Sequence, residues 1–134
     1  MRNLPFAASL LALAACGGST VSLTVEDVSC RAPLTDGGAG VAYFSITSSI
    51  ADRITGISSP AAASVEMHTS MAEGGMASMQ ELEFVELPAG QRVAFEPGGM
   101  HLMIISPARE SSSATFPIHI KLQSGREASF DCTF

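Results

Sequence analysis

Hydrophobic positions recur at every second residue through much of this chain. Val21, Leu23 and Val25 alternate with polar neighbours, Val41, Tyr43 and Ser45 mark a second such segment, and Phe116, Ile118, Ile120 and Leu122 a third. A period of two puts these side chains on one face of a strand and leaves the other face wet. Breakers separate the segments: Asp36-Gly37-Gly38, Pro60, Gly74-Gly75, Pro88-Ala89-Gly90, Pro97-Gly98-Gly99, Pro107 and Ser124-Gly125. Strands spaced about 8 to 12 residues apart, with turn signals between them, predict an all-β domain, either a sandwich or a small barrel. No segment carries a helical period, and no internal repeat is visible. Ala61-Ala62-Ala63 reads as a connection into a strand, since Pro60 and β-prone residues flank it, and Ser111-Ser112-Ser113 reads as a loop.

The first fifteen residues stand apart from this pattern. Arg2 followed by the apolar run Leu4 to Ala15 has the form of an export signal and is too short to cross a bilayer as a helix. Leu13-Ala14-Ala15-Cys16 resembles the bacterial lipobox, which implies that Cys16 is acylated and becomes the first residue. Residues 16–21 would then form a lipidated tether, and residues 22–134 one folded domain of ordinary size. Gly17 after Cys16, in place of Asp, favours the outer membrane of a two-membrane cell.

Charge narrows the partners. Thirteen acidic and seven basic residues give a net charge of −6, with no basic stripe, so nucleic acid is not an expected partner. Besides Cys16 there are Cys30 and Cys132, near the two ends of the domain. An oxidising compartment predicts a bridge between them. The alternative, that these thiols bind metal, lacks a CxxC spacing.

The chemistry is concentrated in the middle of the chain. Every methionine after Met1 lies between Met67 and Met103, at positions 67, 71, 76, 79, 100 and 103. Methionine used only to fill a core would be scattered among the strands. His68 and His101, two of three histidines, share that window. Thioether and imidazole together suit copper(I) better than magnesium, calcium or manganese. His101 and Met103 are two apart and project from one face of a strand, which leaves Met100, Leu102 and Ile104 for the core. By the same alternation Met67 packs inward and His68 outward with Glu66. The segment Thr69 to Ser78 reads as a flexible loop turning at Glu73-Gly74-Gly75, with Met71 and Met76 on it as spare ligands or simply exposed methionines. Met79, which follows that loop, is expected to be the least fixed ligand. Glu66, Glu81 and Glu83 read as solvated strand positions, and His119, which shares a face with Lys121, as a solvated histidine.

His68 is followed by ten residues and Met79, then by twenty-one residues and His101-Leu102-Met103. This arrangement resembles the signature of the periplasmic copper chaperone family PCuAC, matching it in all four positions and both gaps. Leu87-Pro88-Ala89-Gly90, Pro97-Gly98-Gly99 and Val41-Ala42-Tyr43-Phe44 resemble the family's flanking segments. The resemblance implies a cupredoxin-like Greek-key β-barrel holding one copper(I) at its surface through His68, Met79, His101 and Met103. It also implies delivery of copper to a respiratory oxidase subunit or its assembly factor, by a monomeric lipoprotein on the extracytoplasmic side of a membrane. Three departures stand out. Ser48 or Ser49 occupies a place where the family often has Asn, the cysteine pair lies outside the signature, and no His- and Met-rich tail follows Phe134.

Other functions fit less well. A blue-copper carrier needs a thiolate beside two histidines, and neither Cys30 nor Cys132 lies near such a set. No nucleophile elbow, phosphate loop or carboxylate pair beside a histidine suggests an enzyme. Copper storage or tolerance remains an alternative to delivery, and a metal-free scaffold lipoprotein a third reading, which the methionine cluster opposes.

Overall fold

A computed structural model describes residues 20–108 and 115–134. The expected signal, the Cys16 anchor, the glycine tether and the serine loop lie outside these residues. Among the described residues there are ten strands and no helix: β1 (Leu23–Arg31), β2 (Gly40–Ser48), β3 (Asp52–Ser58), β4 (Ala62–Glu73), β5 (Met76–Leu82), β6 (Val85–Leu87), β7 (Arg92–Phe95), β8 (Met100–Pro107), β9 (Thr115–Leu122) and β10 (Glu127–Thr133). They form two antiparallel sheets. One runs β1-β2-β8-β4-β5, with β7 also paired to β2, and the other runs β10-β9-β3-β6.

The period-two pattern is what drives the sheets together. Phe116, Ile118, Ile120 and Leu122 of β9 are buried, as their alternation predicts, and meet Ala42, Phe44, Ile46, Leu102 and Ile104 from the other sheet in a single core. On β2 the inward face is thus the one opposite to the Val41, Tyr43 and Ser45 set, because Phe44 and Ile46 bury more apolar surface. Burial of each large side chain here contributes about 1.5–3 kcal/mol. Phe44 anchors the centre. Its ring stacks on Phe95 at 4.4 Å and lies 4.8 Å from Phe130 of the opposing sheet.

A β-bulge in β1 bears on the cysteines. Glu26 stands opposite Ser45 but Ser29 opposite Tyr43, so β1 carries one extra residue there. Asp27 absorbs it with φ of 53°, in the left-handed region that a non-glycine residue rarely visits. The insertion reverses the parity of the strand. Val25, opposite Ile46, faces the core before the bulge, and Cys30, opposite Ala42, faces it afterwards. Cys30 thereby reaches Cys132 on β10, with Cα atoms 5.6 Å apart, and the disulfide joins the edges of the two sheets across 102 residues of chain.

Elsewhere in the sandwich a buried polar knot ties the β2–β3 and β9–β10 connections together. Asp52 accepts hydrogen bonds from the Ser124 hydroxyl (2.5 Å), from Arg126 Nη2 (2.8 Å) and Nε (3.2 Å), and from the backbone N–H groups of Arg53 and Ser124 (2.8 and 3.2 Å). Arg126 also donates to the hydroxyl of Ser48, which in turn donates to the carbonyl of Ile50 (2.7 and 2.6 Å). Ser48 is thus a fully buried corner of the fold. The Asp52 side chain is only 3% exposed. Burial opposes its charge, but the hydrogen bonds from Ser124, Arg126 and Arg53 outweigh that and hold the carboxyl well below the usual carboxylate range.

Two outcomes follow for stability. Replacing Cys30 and Cys132 together by Ser should cost about 2–5 kcal/mol in urea unfolding, and an unchanged midpoint would show that the bridge is dispensable. Asp52→Ala strands the Arg126 charge and should cost about 3–5 kcal/mol. Because the folded-state pKa of Asp52 is depressed, its contribution is complete above the unfolded value of about 3.9 and drains away as pH falls below it. The variant should therefore lose less stability than the unmodified protein on acidification through that range.

Candidate metal centre

Two turns and two strand pairings position the candidate ligands. Pro97 and Gly98 occupy the centre of a tight turn in which Gly99 N–H donates to the Glu96 carbonyl at 3.0 Å. Gly98 has φ of 82°, the positive value that a type II turn requires after proline. This turn launches β8. Its next two backbone contacts fix the start of the strand: Met100 accepts from Glu96 N–H at 2.8 Å, and Gly99 accepts from Ser70 N–H of β4 at 3.1 Å.

The register then decides which side chains meet. Along β4 and β8, His68 stands opposite His101 and Glu66 opposite Met103. Along β4 and β5, Ser70 stands opposite Met79 and His68 opposite Glu81. Directly opposed residues share a face. All four expected ligands, His68, Met79, His101 and Met103, therefore lie on one face of one sheet, spread over three adjacent strands. The reverse face of the same strands carries Val65, Met67, Leu102 and Ile104 into the core. Met67 is buried and Met100 packs against the core, as the alternation predicts.

The segment between His68 and Met79 differs from its sequence reading. It is not a loop. β4 runs on to Glu73 and β5 starts at Met76, joined by a two-residue turn in which Gly74 and Gly75 both have positive φ (58° and 81°), as the tightest hairpins demand. Met71 stands opposite Ser78 and Met76 opposite Glu73, so both project from the face opposite to Met79. Met79 itself is held in an edge strand, with its side chain 61% exposed. Glu81 and Glu83 are exposed as expected, and so is His119 on β9.

Glu66 departs further from expectation. It is half-buried, and its carboxylate lies 2.9 Å from His68 Nε2. His101 is buried to 6% exposure, and its Nδ1 lies 3.2 Å from the Gly99 carbonyl. The two imidazole centroids are 5.9 Å apart with planes inclined by 27°. With metal–nitrogen bonds of about 2.0–2.1 Å, each ring centroid sits about 3 Å from a bound ion. Two rings 5.9 Å apart can therefore share one ion with little movement of either strand. His68 Nδ1 supports that fit, being one of three buried side-chain polar atoms among the described residues that lack a hydrogen-bond partner. No cluster of three or more His, Cys, Asp or Glu side chains with metal-holding geometry occurs among the described residues, and methionine sulfur is the further donor that the shared face offers beside the two imidazoles.

Comparison with known proteins agrees with this architecture. The copper-bound PCuAC domain from PmoF2 superposes with a TM-score of 0.65 at 20% identity, over 86% of this chain and 94% of that one. The metal-free PmoF2 PCuAC domain gives 0.65 at 22% identity, over 85% and 90%. The solution structure of apo-DR1885 from Deinococcus radiodurans gives 0.58 at 22% identity, over 99% and 94%. No curated protein sequence matches the chain. The sandwich is thus the cupredoxin-like fold of PCuAC domains, and the model of the family described as lipoprotein LpqE-like matches residues 23–133. Over nearly the whole of its folded part, the chain belongs to the LpqE-like family.

Proposed function

We propose that this protein is an extracytoplasmic, lipid-anchored carrier that binds one copper(I) ion through His68, Met79, His101 and Met103 and passes it to an acceptor, a respiratory oxidase copper centre or its assembly factor. The observation that carries the reading is the shared face. Two imidazoles and two thioethers stand together on adjacent strands, a soft and neutral donor set that suits copper(I). The fold likeness to a copper-bound PCuAC domain adds to it.

Neutral ligands leave the ion with its single charge, a modest desolvation cost at a partly exposed surface. Graded exposure supplies a route for release. His101 is buried, His68 and Met103 are half-buried, and Met79 is largely exposed on the edge strand. An acceptor's thioether or thiolate displaces Met79 first while three ligands still hold the ion, so copper changes hands without passing through water. The exchange involves no change of oxidation state.

The purified protein should bind one equivalent of copper(I), with sulfur and imidazole nitrogen both visible by X-ray absorption. A spectrum containing only nitrogen and oxygen scatterers would remove the site. His101→Ala should abolish tight binding, because it deletes the most firmly held ligand. Met79→Ala should retain binding but speed transfer to a competing chelator, and release no faster than from the unmodified protein would sink the exchange mechanism.

A further inference from the structure

We infer that Glu66 is a positioning residue that fixes the tautomer of His68, so that His68 presents Nδ1 to copper while His101 presents Nε2. The inference rests on the copper site proposed above and deepens it.

The donor and acceptor roles follow from the partners. A carboxylate oxygen only accepts, so at 2.9 Å from Glu66 it is His68 Nε2 that carries the proton and donates. The lone pair of the neutral ring is then on Nδ1. That atom is buried and has no hydrogen-bond partner, an arrangement that costs stability unless a ligand completes it. In His101 the roles are reversed. The Gly99 carbonyl also only accepts, so Nδ1 donates across 3.2 Å and the lone pair falls on Nε2. Each ring is thus committed to one tautomer by a partner two residues earlier in the chain, one a carboxylate on the same strand and the other a backbone carbonyl of the turn that precedes the strand.

The difference in partner has consequences. A carboxylate behind a ligating histidine holds the ring in orientation and strengthens it as a donor. Its negative charge also offsets the single positive charge that a copper(I) ion brings to the face. The position of Glu66 opposite Met103 keeps it on that face, and its side chain is 35% exposed against 18% for His68. It therefore stands at the border between the site and solvent.

The test reads ring nitrogens directly. In 15N-labelled protein without metal, long-range proton–nitrogen correlation should show His68 protonated at Nε2 and bare at Nδ1, and His101 the reverse. One equivalent of copper(I), which is diamagnetic, should shift Nδ1 of His68 and Nε2 of His101. Glu66→Ala should scramble the His68 tautomer and weaken copper(I) binding, read by competition with a chelator, by about 10–100-fold. Glu66→Gln, whose amide oxygen still accepts from Nε2–H, should recover the tautomer and part of the affinity. A copper-induced shift at His68 Nε2, or a Glu66→Ala variant with unchanged affinity and tautomer, overturns the inference and leaves the site intact. If copper shifts neither nitrogen of His68, the proposed site itself falls. The first measurement needs no substitution, so a variant that fails to fold does not prevent a decision.

Discussion

Backbone pairing between β4 and β8 sets His68 opposite His101 and Glu66 opposite Met103, and the functional face depends on that register. Nothing on the face itself enforces it. The constraint comes from behind, where Val65 and Met67 on β4 and Leu102 and Ile104 on β8 are buried in the core. A slip of β4 by one residue would turn Val65 and Met67 into water and drive His68 and Glu66 into the apolar interior, and a slip of β8 would likewise turn Leu102 and Ile104 outward and His101 inward. With burial of each large side chain worth about 1.5–3 kcal/mol, the misregistered sheet is excluded by the core alone. The proposed ligands are therefore placed by residues of the opposite face, which point into the core. The Pro97-Gly98 turn completes the arrangement by setting where β8 begins.

Much of this could be read from the residues. The alternation in β8 and β9 identifies the inward faces correctly, and the spacing of His68, Met79, His101 and Met103 singles out residues that the fold gathers on one face. The misses share a cause. Whether Thr69 to Ser78 is a loop or a hairpin depends on pairing between strands, and the Gly74-Gly75 turn was visible while the ladder on either side of it was not. The bulge at Asp27 is harder still, because no local signal distinguishes an aspartate at positive φ from one in a regular strand. Yet it is the bulge that turns Cys30 inward to meet Cys132. Glu66 reads as a solvated residue in the sequence because its alternation puts it on the outer face. The register that sets it in the site emerges only once β4 and β8 are paired. A glutamate two residues before a candidate histidine ligand, on the same strand face, is the signal that was available.

The two histidines also show how one fold can make like ligands unequal. His101 sits on a central strand, buried, with its ring tied to a backbone carbonyl of the turn that starts its own strand. That carbonyl also accepts from Ser70 of β4, so moving His101 would disturb the β4–β8 pairing. His68 is tied to a side chain instead, and a side chain can rotate at the cost of one part-buried hydrogen bond, on the order of 1.5–3 kcal/mol when a charged group takes part. Met79 is tied only through its backbone on the edge strand. The proposed ligands thus form a series from firmly held to free, running from the centre of the sheet to its edge. On the proposed function, an acceptor approaching along β5 would meet them in the order in which they can let go. The inner strand would keep its grip until the last exchange, and because its geometry is set by the core, an emptied site would already be in place for the next ion.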